Sequence, residues 1–108
     1  MDIAAVEVRQ RSQEIKLQGD IFFARNMLSE SLEQYFKALE LDATNEYALS
    51  NVGVIYLKRQ DYENCLKFTN QALSIIEEFQ ADTKEFQRDN VLEIKLLQRR
   101  SKCWEVQE

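Results

Sequence analysis

The apolar positions of this chain recur at a fixed interval. Gly19 and Gly53 stand 34 positions apart, and at the same offset Ile15 matches Leu49, Ile21 matches Ile55 and Phe22 matches Tyr56. Further along, Leu28 matches Tyr62, Leu32 matches Leu66, Ala38 matches Ala72 and Leu39 matches Leu73, while small Ser31 pairs with small Cys65. So many coincidences at one spacing mark a structural unit, and a unit of this length holds two helices. The first unit covers about residues 12–45 and the second about 46–79. Asn26 falls at the turn inside the first unit, where it tolerates a left-handed backbone better than most residues. Asp61 is placed to cap the second helix of the second unit. Asp42, Ala43, Thr44 and Asn45 supply turn-forming side chains between the units. The first helix can begin as early as Ile3, with Asp2 as its cap.

Past Phe79 the pattern blurs, and residues 80–93 read as an insertion that prolongs the neighbouring helices. A further helix is predicted over about 94–107, with Ile94, Leu97, Ser101 and Trp104 on one face at i, i+3, i+7 and i+10. Aligned to the repeat, these four match Ser12, Ile15, Gly19 and Phe22, and then Glu46, Leu49, Gly53 and Tyr56. That register makes 94–107 the first helix of a third unit and a terminal cap for the stack. It also sets Trp104 at a packing position and Cys103 level with Ile21 and Ile55, where a core residue is expected.

Composition narrows the chemistry. Across 108 residues, hydrophobic residues make up 44% and charged residues 31%, which suits one folded domain. There is no His and no Pro, and only two Gly interrupt the helical pattern. Without His there is no Ser-His or Cys-His nucleophile system and no ordinary zinc site, so neither catalysis nor a metal or cofactor is expected. Cys65 and Cys103 lack CxxC spacing and read as small buried residues in a reducing, cytoplasmic setting rather than as a disulfide. The balance of 14 basic against 19 acidic side chains, a net charge of −5, argues against nucleic acid. No apolar run reaches the roughly 18 residues of a membrane span, so no membrane partner is expected.

The two segments QGDIFF…ESLEQYFKALELDATN and NVGVIY…DYENCLKFTNQALSII resemble tetratricopeptide repeats. The proline that closes each unit in that family is replaced by Ala43 and Glu77. The resemblance implies an all-α fold, a short solenoid of two helix-turn-helix repeats plus a C-terminal capping helix. In such a solenoid the first helices of successive units line a concave groove. Their outward positions here bring Lys16, Asn51, Lys58, Lys95 and Arg99 to one face, a cationic groove on an anionic protein.

This set resembles the carboxylate clamp of tetratricopeptide co-chaperones, which grips the Glu-Glu-Val-Asp C-terminus of heat-shock protein 90 or 70. Lys16, Asn51, Lys95 and Arg99 stand at four of the five clamp positions. At the fifth the family has Asn, and this chain has Asp20. The resemblance implies a monomeric adaptor that binds such a tail, with room for a second protein partner in an assembly complex. Phe23, Val54 and Leu57 would wall the groove beside an apolar side chain of the peptide. The alternatives are a general scaffold for another peptide or helix, or the targeting module of a larger enzyme or assembly factor. Asp20 puts an acceptor where a donor is wanted. It either pairs with Lys16 four residues earlier and weakens the clamp, or selects a different tail.

Overall fold

The computed structural model describes residues 3–82 and 91–107, which form five helices with no strand among them. They are α1 (Ile3–Ala24), α2 (Leu28–Leu41), α3 (Glu46–Lys58), α4 (Tyr62–Asp82) and α5 (Val91–Gln107). Helices α1 and α2 pack as one antiparallel pair and α3 and α4 as the next, with α2 against α3 and α5 laid on α4 and the edge of α3. Asp2 and most of the 80–93 segment lie outside the described residues.

The two pairs turn by the same device. Asn26 and Gln60, again 34 positions apart, both hold a left-handed backbone, with φ of 59° and 60°. In each turn the next amide reaches back across the helix end: Met27 N donates to Phe22 O at 2.9 Å, and Asp61 N donates to Tyr56 O at 2.9 Å. The carbonyls left open at the C-termini of α1 and α3 are thereby satisfied. Asp61 then caps α4, accepting the amide of Asn64 at 3.2 Å. Gln60 escaped the sequence reading because, unlike Asn, Gln carries no preference for this conformation.

Between the pairs, Asn45 caps α3 through the amide of Ala48 at 3.1 Å and donates from Nδ2 to Ser12 Oγ at 2.9 Å. Ser12 Oγ in turn donates to Ala38 O at 2.7 Å. Three helices are thus tied by a buried network in which each polar side chain is hydrogen-bonded, so its burial carries little penalty. Nearer the surface, the Arg9 guanidinium bridges Asp42 at 3.0 Å and Glu46 at 2.9 Å. Burial disfavours the Arg9 charge, but the two carboxylates outweigh it and hold its pKa above the ordinary value.

The apolar core runs through the stack in two clusters. Tyr35, Val52 and Ile55 join α2 to α3, and Leu49, Ala72, Leu73, Ile76 and Leu96 join α3, α4 and α5. Tyr56 stacks on Phe68 at 5.7 Å, and Phe36 meets the same ring edge-on at 5.8 Å. Of the 34-residue pattern on α2 and α4, Ser31, Ala38, Cys65, Ala72 and Leu73 are buried and Leu28, Leu32 and Leu39 pack at the core's margin, but α1 differs from α3. Ile55 is fully buried, whereas Ile21 is 47% exposed, because no described helix packs on that side of α1.

The register of α5 departs from the sequence expectation. Ile94, Leu97 and Trp104 are 45%, 41% and 52% exposed, and Ser101 is exposed with them. The buried residues are Leu96 and Cys103, with Leu92 packed at the margin. Trp104 is therefore not a packing residue, and its ring lies against the Arg100 guanidinium at 5.1 Å. The helix carries two apolar stripes, and the one with small Cys103 fits against α4. There the Cys103 and Cys65 sulfurs come within 3.2 Å, closer than an indole could allow. Both thiols are free and buried, in line with their reading as small core residues.

Candidate functional site

Helices α1, α3 and α5 present one shared face, and its chemistry is set by how α2 and α4 support it. Gly19 lies where α1 crosses α2. A Cβ built there would stand 2.6 Å from Tyr35 Cε1, so the absent side chain is what lets the Tyr35 ring lie across α1. Ser31 fastens the same crossing by donating to Gly19 O at 2.7 Å. The result is a tyrosine that is almost wholly buried yet carries its hydroxyl through to the other side of α1.

There the hydroxyl donates to Asp20 Oδ1 at 2.5 Å. The same oxygen accepts Asn51 Nδ2 at 2.9 Å, and Oδ2 pairs with Lys16 Nζ at 2.7 Å. Burial and the neighbouring Asp20 carboxylate push the Tyr35 phenol well above its ordinary pKa, so it remains a donor at any physiological pH. Asp20, Phe23, Tyr35, Asn51 and Val54 line a cavity of about 220 Å³, polar at the Asp20 end and apolar along Phe23 and Val54. Lys58 folds over the Phe23 ring at 5.3 Å, and Lys16 over the Tyr47 ring at 5.8 Å.

Gly53 plays the matching part at the crossing of α3 and α4. Its Cβ would stand 3.0 Å from Thr69 Oγ1 and 3.5 Å from Arg99 Nη1. Arg99 enters that space from α5 and donates through Nη1 to Ser50 O at 2.8 Å and to Ser50 Oγ at 3.1 Å. Burial lowers its pKa from the ordinary arginine value, with the adjacent Cys65 and Cys103 sulfurs acting the other way. A guanidinium stays charged through such a shift. Lys95, one turn earlier, is exposed and has no ion-pair partner among the described residues.

The structure thus brings Lys16, Asp20, Phe23, Asn51, Val54 and Lys58 into one contiguous patch, and holds Arg99 on the α3–α5 side through Ser50. Leu57 is half-buried on α3 and does not line the cavity. Tyr35 was missed by sequence reasoning, since it belongs to a supporting helix. The signal that could have found it is the repeat itself. Tyr35 and Thr69 are 34 apart and each follows its glycine by 16, so each is the side chain that fills the space the glycine vacates.

Against known proteins, residues 19–60 match the family model described as TPR repeat. Hsp70-Hsp90 organizing protein 3 of Arabidopsis thaliana is 29% identical over 73 residues, or 68% of this chain, and the chain spans 13% of that relative's length. Among solved structures, the second TPR of Spaghetti (RPAP3) bound to the HSP90 peptide SRMEEVD is similar with a TM-score of 0.65 and 26% identity. That likeness covers 95% of this chain and 94% of the other. The fold is a tetratricopeptide-repeat solenoid, two helical hairpins closed by a fifth helix. The chain is thus similar both to a stretch of an Hsp70-Hsp90 organizing protein and to a TPR bound to an HSP90 peptide.

Proposed function

We propose that the face shared by α1, α3 and α5 binds the acidic C-terminal tail of heat-shock protein 90 or 70, making this chain a cytoplasmic co-chaperone adaptor rather than an enzyme. What supports this reading is that Asn51 of α3 and Lys16 of α1 meet at Asp20, while Arg99 of α5 reaches Ser50, the residue beside Asn51. The solenoid is similar over nearly its whole length to one that holds an HSP90 peptide. A terminal aspartate offers two carboxylates close together, and the groove answers with a planar fork, point charges and an amide. Charge-assisted hydrogen bonds contribute about 1.5–3 kcal/mol each, less where water reaches them. After the ordering of a short peptide this leaves a micromolar affinity, about −8 kcal/mol. The cavity along Phe23 and Val54 accommodates an aliphatic side chain of the tail.

The test is titration calorimetry with a pentapeptide ending in Glu-Glu-Val-Asp, as the free acid and as the C-terminal amide. The acid binds more tightly, by about tenfold or more, and the preference shrinks as salt is added. Equal binding of acid and amide rejects the carboxylate clamp. That outcome favours a scaffold for another peptide or helix, or the targeting module of a larger enzyme or assembly factor. Asp20 is the observation on the side of that alternative, since it places a carboxylate among the donors.

A further inference from the structure

The hydrogen bonds around Asp20 carry more than the loss of one donor. Lys16 and Asn51 are two of the groups that the proposed clamp would offer to a ligand carboxylate, and both are already engaged by a carboxylate of this chain. Asp20 is held from behind as well. The Tyr35 hydroxyl grips Oδ1, and the Tyr35 ring has no freedom to follow a departing side chain, being buried and wedged against Gly19. A ligand carboxylate arriving at Lys16 would exchange one ion pair for another and meet the charge of Asp20 at close range.

We propose that Asp20 is an internal stand-in for the ligand's carboxylate, an autoinhibitory contact that closes the α1 side of the groove and confines the peptide's terminal carboxylates to Lys95 and Arg99. This rests on the groove being a carboxylate-binding site. Selectivity follows from the chemistry at each end. The tail's charged terminus lies between α3 and α5. The tail residue that faces Asp20, Phe23, Tyr35, Asn51 and Val54 is aliphatic or a neutral hydrogen-bond donor, and an acidic side chain is rejected there. Lys16, although a clamp position, then contributes almost nothing to binding, because its charge is spent on Asp20 in both the free and the bound states.

The decisive measurement is a double-mutant cycle between Lys16 and Asp20, read as the Kd of the Glu-Glu-Val-Asp pentapeptide and of its amide. Asp20→Asn preserves the shape of the side chain, and Asp20→Ala removes the internal carboxylate without creating a donor. Both variants tighten the acid by about tenfold, equivalent to about 1.4 kcal/mol, and tighten the amide less, since it keeps only the side-chain carboxylate of its last residue. Lys16→Ala changes the Kd by less than about twofold in the wild type but weakens binding about tenfold in the Asp20→Asn background, where the ammonium has been released. Circular dichroism of each variant checks that the helices remain. An equal cost of Lys16→Ala in both backgrounds overturns the proposal, as does an unchanged Kd in both Asp20 variants while Arg99→Ala still weakens the acid peptide. If neither the wild type nor Asp20→Asn prefers the acid over the amide, the clamp reading itself fails and this inference fails with it.

Discussion

Gly19→Ala strikes most directly at the crossing that admits Tyr35 to the groove. The new Cβ would stand 2.6 Å from Tyr35 Cε1, 2.7 Å from Cδ1 and 3.1 Å from Cζ, against an ordinary contact of about 3.6 Å. The ring must therefore retreat by about 1 Å, and at 1% exposure it can do so only by displacing the side chains packed around it. Overpacking of this kind costs about 1–3 kcal/mol. Retreat also draws the hydroxyl away from Asp20, losing part of a charge-assisted bond worth about 1.5–3 kcal/mol. Alanine returns about 1 kcal/mol through its better helix propensity. The net loss is about 2 kcal/mol, which lowers the melting temperature of a domain this size by about 10 °C. Gly53→Ala is the internal control. Its Cβ meets one hydroxyl oxygen at 3.0 Å and nothing else under 3.5 Å, so a small shift of Thr69 suffices and the propensity gain offsets it. Thermal and urea unfolding followed by far-ultraviolet circular dichroism give both values. If Gly19→Ala proves as stable as Gly53→Ala, the glycine is not what admits Tyr35 to the groove and the argument for that crossing is wrong.

Two further expectations follow from the buried polar contacts. Asn45→Ala removes the cap of α3 and leaves Ser12 without its donor, so a loss of about 2 kcal/mol is expected in urea unfolding. A loss below about 0.5 kcal/mol would mean that the network linking Ser12, Ala38 and Ala48 contributes little. At Cys103, burial and the contact with Cys65 push the thiol up to about 12. Because the folded value lies above the unfolded one, this contribution to stability is complete below about pH 8.5 and is lost progressively as pH rises toward 12. Urea midpoints measured from pH 8 to 11 should fall, the fall should lessen in Cys103→Ala, and an identical slope in that variant refutes the assignment.

Much of this was legible in the residues because a repeat is a local property. The 34-residue interval specifies two like hairpins, and Asn26, Asp61 and Asn45 act on backbone groups within three residues of themselves. Neither depends on what packs alongside. The groove face of α1 and α3 was legible for the same reason, since helical periodicity alone puts Lys16 with Asp20 and sets Asn51 beside Val54 and Lys58.

Only the tertiary structure could choose between the two apolar stripes of α5. Ile94, Leu97 and Trp104 make the more hydrophobic face, yet Leu96 and Cys103 are buried, because close approach to Cys65 on α4 rewards a small side chain over a large one. That choice also turns Arg99 into the space beside Gly53 and onto Ser50. The role of Asp20 was decided in the same way. From the sequence it was an acidic residue at a position where an amide was expected. Packing made it the meeting point of Lys16, Asn51 and a tyrosine from the far side of α1, because side chains 15 and 31 residues distant become its neighbours only once the helices have stacked.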